Sequence, residues 1–298
     1  MIGILPRLYE DELLYSFLSR YAVTVAGNTY RGVSEDLYTD PLCCPNILLL
    51  NHMKEDLLSK LEPQASLREI VLNHTMFSWF CRFARKERRD KAFKLATEMN
   101  IKKLYDSLPI PNYTDRYKER RTIKYCPDCA QEQRTQFGEA YFQRFNQIFE
   151  LTLCPIHHCK LHRTSIAIDG RVSPAFITAE MVIPKENEIV YSESELGIRV
   201  AEYLLDVLNQ PLDIENKSDV GIYLDYRLRD RGYVKSNGTR DMGKLTNDFN
   251  AFYADIGVKR EYWFLQKLFS HYVYNAYEIS LMGLFLNIST KELCEHKL

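Results

Sequence analysis

The sequence predicts a mainly α-helical protein built around a small zinc-ribbon or zinc-knuckle module, with a C-terminal helical domain carrying a helix-turn-helix candidate. Three observations lead there. Apolar residues recur at helical spacing, first at Leu13, Leu14, Phe17, Leu18 and Tyr21. Two short motifs, Cys126-Pro-Asp-Cys129 and Cys154-Pro-Ile-His157, bracket a loop over 130–153. Only the stretch from Ile166 to Tyr191 alternates in the manner of strands, and loosely.

The first helix follows Pro6, and Glu10, Asp11 and Glu12 are expected in its first turn, where the helix dipole favours acids. Ser66 with Glu69 reads as a capping box ahead of Ile70, Val71 and Leu72. A further helix is expected from about Glu87 to Tyr105, then a connecting loop over 108–122. Helix returns over Ile198–Leu208. From Tyr223 onward it continues with interruptions, ending in one long helical stretch from Arg260 to about Leu286. The domain expectation is an N-terminal unit 1–165 with its zinc module at 125–163, an extended connection 166–195, and a helical unit 196–298.

The two motifs are the strongest chemical signal. A C-x-x-C turn aims two sulfurs at one centre, and Pro127 and Pro155 preset matching turns. Two such knuckles supply four ligands, which suits one structural, tetrahedral zinc ion (Zn2+) held by Cys126, Cys129, Cys154 and His157. His158 or Cys159 is the fallback fourth ligand. The motifs leave no fifth open position, so a structural site is expected rather than a catalytic one. Cys43, Cys44, Cys81 and Cys294 read as buried thiols.

Enzyme signatures fail. H-E-x-x-H, G-x-S-x-G and the deaminase pattern are missing. Gly238–Lys244 has Walker A spacing, but Leu245 stands where Ser or Thr would bind magnesium. No apolar run approaches the roughly 20 residues of a membrane span, and no signal peptide is recognisable, so a cytoplasmic, reducing compartment is expected.

The 298 residues carry a net charge of −1, which hides an asymmetry. Arg82–Lys124 holds fourteen Lys/Arg against six Asp/Glu, whereas Glu186–Asp219 holds nine acids against Arg199 and Lys217. The basic stretch makes Arg85, Lys86, Arg88, Arg89, Arg116, Lys118, Arg120, Arg121 and Lys124 candidate phosphate contacts. Internal ion pairing within the Lys86–Asp90 cluster is the competing account. In the C-terminal unit, Tyr226–Arg231, a Gly turn and a helix near Asp241–Tyr253 form the helix-turn-helix candidate. Its readers would be Lys235, Asn237, Arg240 and Lys244.

The segment KYCPDC…FGEAYFQRFNQIFELTLCPIHHCKL resembles the TniQ/TnsD family of transposon target-selection proteins. So do the opening LPRLYEDELLYSFLSRYA and, toward TnsD proteins in particular, HTMFSWFCRFARKERRDKAFKLA over 74–96. The resemblance implies a non-catalytic protein that chooses insertion sites. It would bind target double-stranded DNA, recruit a AAA+ ATPase regulator of transposition and meet other transposition proteins, with no membrane and no small-molecule substrate. The family's zinc ligands fall on Cys126, Cys129, Cys154 and His157. Two other roles stay open: an adaptor without DNA affinity of its own, and a zinc-containing DNA-binding transcription regulator.

Overall fold

The computed structural model describes residues 3–25, 29–108, 122–168, 175–269 and 275–297. Helices α1 (Leu14–Thr24), α2 (Tyr30–Leu37), α3 (Glu55–Leu61), α4 (Leu67–Asn73), α5 (Phe77–Cys81), α6 (Lys86–Thr97) and α7 (Ile101–Ser107) come first. Strand β1 (Thr122–Tyr125), helix α8 (Pro127–Phe137) and strand β2 (His162–Ala167) follow. Then come α9 (Ala179–Val182), α10 (Glu195–Asn209), α11 (Val220–Asp230), α12 (Met242–Phe252), α13 (Tyr262–Lys267), α14 (Ala276–Phe285) and α15 (Thr290–Glu295). The mainly helical class is as expected. β1 and β2 pair antiparallel, Tyr125 opposite His162 and Thr122 opposite Ala167, with one irregularity between. Among the described residues no helix is long and apolar enough to cross a membrane.

Helix α1 is buried along most of its length. Every residue from Leu14 to Tyr21 is buried, because its apolar residues cover more than one face and the small Ser16 and Ser19 fill the rest. Ser19 Oγ donates to the Tyr15 carbonyl at 2.8 Å, so its hydroxyl is satisfied within the helix. The acids 10–12 are not in the first turn, which holds no acid. Asp11 takes a left-handed φ of 52°, and the helix instead opens on borrowed carbonyls: Leu13 N–H donates to Phe142 O and Leu14 N–H to His74 O. Glu12 is buried and is bound by Tyr9 N–H, the Ser16 hydroxyl and Arg20. Arg20 also reaches Glu139 at 2.6 Å.

The Ser66–Glu69 capping box forms as expected at α4. The single helix expected over 87–105 is two. The chain breaks at Met99, whose φ is 53°, and Asn100 starts α7 by accepting from Lys103 N–H. The stretch expected as one helix from Arg260 likewise divides into α13 and α14.

In the C-terminal part, α10 packs on α14 and α15. The close approach is made at Gly283, where a Cβ would stand 2.6 Å from Leu293 Cδ2 and 2.7 Å from the Tyr203 hydroxyl. The helix-turn-helix candidate differs from its template. Residues 231–241 join α11 to α12, far more than the three or four residues of such a turn. They close on themselves through Lys235 N–H to Thr239 O and a Val234–Arg240 bridge.

Candidate metal centre

The site is assembled by two local turns of the same construction. β1 runs into Cys126, which caps α8 with Pro127 in the first turn. Cys126 Sγ accepts the Cys129 N–H at 3.4 Å. Cys154 Sγ likewise accepts the His157 N–H at 3.4 Å. Cys154 and Cys159 close the second turn through Cys154 N–H to Cys159 O at 2.8 Å, with His158 at φ 57° making the reversal.

The turns bring Cys126, Cys129, Cys154 and His157 together, all four ligand atoms lying within 4.8 Å of one another. His157 Nδ1 stands 3.6, 3.3 and 3.7 Å from the sulfurs of Cys126, Cys129 and Cys154, and Cys129 and Cys154 sulfurs are 3.7 Å apart. Metal bonds of about 2.3 Å to sulfur and 2.0 Å to nitrogen give tetrahedral edges of about 3.8 and 3.5 Å. The cluster therefore fits a tetrahedrally held metal ion. All three cysteines are buried. Hydrogen bonds from the Cys126 and Cys129 thiols hold the Cys154 thiol below its ordinary range. His157 Nε2 lies 3.0 Å from Glu132 Oε1. That carboxylate keeps the proton on Nε2 and leaves the Nδ1 lone pair free to ligate a metal.

Neither fallback ligand belongs to the set. His158 turns to Glu202, Nε2 to Oε1 3.0 Å. Cys159 Sγ stands 3.4 Å from Cys126 Sγ but is not one of the four clustered groups.

The loop between the knuckles is fixed from outside. Asp11 pairs with Arg144 at 2.9 Å and accepts Phe145 N–H at 3.1 Å, while Arg144 N–H donates to Asp11 O. Arg144 also donates to Leu72 O at 2.6 Å. Asp11 and Arg144 thus clamp the centre of the metal segment onto the start of α1 and onto α4, where the sequence assigns Asp11 to the helix dipole. Only the long separation from Asp11 to Arg144 hid it.

The basic candidates separate sharply. Lys124 is 5% exposed, and its ammonium donates to Ile148 O and Leu151 O, both at 2.6 Å. Arg89 is 1% exposed and donates to the carbonyls of Ala84, Ile214 and Asn216. For both, the expectation of a phosphate contact is corrected: the charge is spent on backbone carbonyls inside the fold. Arg88 donates to Ser107 O at 2.6 Å. Arg85 pairs with Asp219 at 3.0 Å, and Lys86 with Asp90 at 2.6 Å and Glu215 at 3.0 Å. Arg116, Lys118, Arg120 and Arg121 lie outside the described residues. In the C-terminal part, Asn237 closes its own turn by accepting from Thr239, and Arg240 pairs with Asp225 at 2.6 Å. Lys235 and Lys244 are exposed, Lys235 3.8 Å from Asp241. The exposed lysines that sequence reasoning missed are Lys102 and Lys103 on α7, beside Lys91 and Lys94 on the packed helix α6. Their exposure follows from helical spacing, but the break at Met99 that brings α7 back onto α6 was not readable.

A TniQ family model matches residues 4–161, the stretch that holds the acidic clamp, α6 and both knuckles. Over 155 residues the chain is 26% identical to the transposon Tn7 transposition protein TnsD of Escherichia coli, a match covering 51% of this chain and 30% of that protein. The match therefore spans less than a third of that relative's length. Because the family model covers more than half of the chain, and covers the residues that build the metal cluster, the protein belongs to the TniQ family.

Proposed function

We propose that this chain is a non-catalytic target-site selector for DNA transposition, and that its cluster holds one structural zinc ion. The observation that carries the reading is the coincidence of the TniQ match with a four-donor cluster. Three thiols and an imidazole on a tetrahedral frame suit zinc, and a closed first shell leaves no position for an activated water. The ion would tie the start of α8 to the turn at Cys154, giving a small segment the stability its core alone lacks.

The selector would meet duplex DNA through cations that the fold leaves at its surface and would recruit a AAA+ ATPase regulator. Lys91, Lys94, Lys102 and Lys103 are exposed on α6 and α7, Lys235 in the α11–α12 connection and Lys244 on α12. The test is fluorescence anisotropy of the zinc-loaded chain on target and random duplexes across a salt series. Log affinity should fall with log salt by about 0.9 per phosphate neutralised. The fourfold variant K91E/K94E/K102E/K103E should flatten that slope. Failure to bind any duplex at low salt would end the DNA reading for this chain.

One observation favours a second reading, the adaptor that contacts only proteins. Arg85, Lys86 and Arg89 are committed to Asp219, Glu215 and the carbonyls of 214–216. This removes three cations from the stretch that suggested DNA. Retained binding to the ATPase regulator with no duplex affinity would select the adaptor.

A further inference from the structure

The segment 186–195 supplies an interaction surface beside the metal cluster. A hairpin carries the second knuckle: Leu161 N–H donates to Thr152 O, and Leu153 bridges Lys160. Residues 190–192 add a third short strand to it. Lys160 N–H donates to Val190 O at 2.8 Å, Ser192 N–H donates to His158 O at 2.9 Å, and Cys159 faces Tyr191 between these bonds. In an antiparallel ladder the residue between two such bonds turns its own N–H and C=O the other way. Tyr191 is that residue. Its N–H and C=O, and those of Ile189, take no partner among the described residues.

This edge is rigidly mounted. Tyr191 Oη donates to Asp128 at 3.0 Å, and Asn187 accepts from the Tyr125 hydroxyl at 2.8 Å. Both anchors sit next to the metal ligands in α8 and β1. The edge is also apolar and open: Ile189, Val190 and Tyr191 are 37, 39 and 59% exposed. Its flanks are acidic. Glu186, Glu188, Glu193 and Glu195 are exposed, form no ion pair among the described residues, and share their ten residues with no Lys or Arg. Proteins protect free edges with Lys, Pro or bulges, and none of these stands at 189–191.

We infer that the edge at 189–193 is a docking strand for an extended, basic polypeptide segment of a partner protein, added in β-fashion and steered by the four glutamates. Main-chain bonds to Tyr191 supply register, and alternate apolar side chains of the partner meet Ile189 and Tyr191. The same glutamates repel a nucleic acid backbone, so this is a protein-facing surface. The inference stands whether or not the chain binds DNA.

The test uses the full, zinc-loaded chain and a labelled heptapeptide of alternating Lys and Val, with its Glu–Val counterpart as control. The basic peptide should bind, more weakly at high salt, and the acidic one should not. Hydrogen exchange should slow at the Tyr191 amide on binding. The double variant E188K/E193K alters only exposed side chains. It should lose at least tenfold in affinity for the basic peptide and gain affinity for the acidic one. Unchanged exchange at Tyr191 would overturn strand addition. Equal binding of both peptides would overturn the charge assignment.

Discussion

Replacing Arg89 with Ala separates a structural cation from a DNA contact. The guanidinium donates to Ile214 O at 3.0 Å, to Ala84 O at 2.7 Å and to Asn216 O. The wild-type ion is itself costly, because burial pushes its pKa down. Truncation removes that cost but strands three buried carbonyls, each worth about 1 kcal/mol or more when orphaned. It also deletes an aliphatic stem that is 1% exposed, leaving a cavity of the kind that adds a further kcal/mol or so. The sum is a loss of about 3–4 kcal/mol. At about 2 °C per kcal/mol for a chain of this size, the melting temperature should fall by about 6–8 °C. The assay is urea and thermal unfolding followed by far-ultraviolet circular dichroism. Lys91→Ala, two residues further on and on the exposed face, is the control and should stay within about 0.5 kcal/mol of wild type. Duplex binding per folded molecule should be unchanged in R89A. A variant that melts within a degree of wild type yet loses duplex affinity would refute the structural assignment.

Four further outcomes are expected. Cys154→Ser should abolish stoichiometric metal content, whereas Cys159→Ser should keep it, as read by a colorimetric zinc assay on the purified chains. Removing the metal with a strong chelator should expose the 122–163 segment to protease and restore resistance on adding zinc back. Gly283→Ala should cost about 1–3 kcal/mol by urea unfolding, because its Cβ would meet Leu293 and Tyr203 at under 3 Å. Burial pushes the pKa of His74 down, against its bond to Glu12 O, so the folded state favours the neutral ring. That contribution is present above the unfolded value near 6.5 and is lost as pH falls through the folded one. His74→Gln should therefore flatten the decline of stability below pH 6.5.

What could be read from the residues follows how local the cause is. Each knuckle is a four-residue turn whose Pro, sulfur and N–H contacts are set within the motif, so the cluster was readable down to its imidazole. The Ser66 cap was readable for the same reason. Arg88 and Arg89 are neighbours with identical side chains and different fates. Nothing in the helix decides between them. Arg89 is buried because residues 214–216, about 125 positions away, turn three-dimensionally onto α6 and present carbonyls. Asp11 and Arg144 are separated in the same way. The extra break at Met99 depends on a left-handed backbone that an unbranched side chain does not announce.

The charge asymmetry was readable, and its meaning was not. Taken as segments, 82–124 looks like a polyanion-binding stretch and 186–219 like a surface for a basic partner. In the fold the two meet each other: Arg85 with Asp219, Lys86 with Glu215, and Arg89 with the backbone between them. Each segment is thereby divided. The start of α6 is covered by acids, so a duplex lying there would face Glu215 and Asp219 as well as arginines. Among the described residues of the basic stretch, Lys91, Lys94, Lys102 and Lys103, further along α6 and on α7, stay exposed. The acids of 186–195, beside the metal cluster, stay exposed and form no ion pair among the described residues. Opposite charges exposed on separate elements give one chain two surfaces that do not compete for the same partner. That arrangement suits the proposed selector, which would hold DNA and a second protein at once. It also makes the two surfaces separable by mutation, since reversing charge on α7 leaves the 186–195 edge untouched.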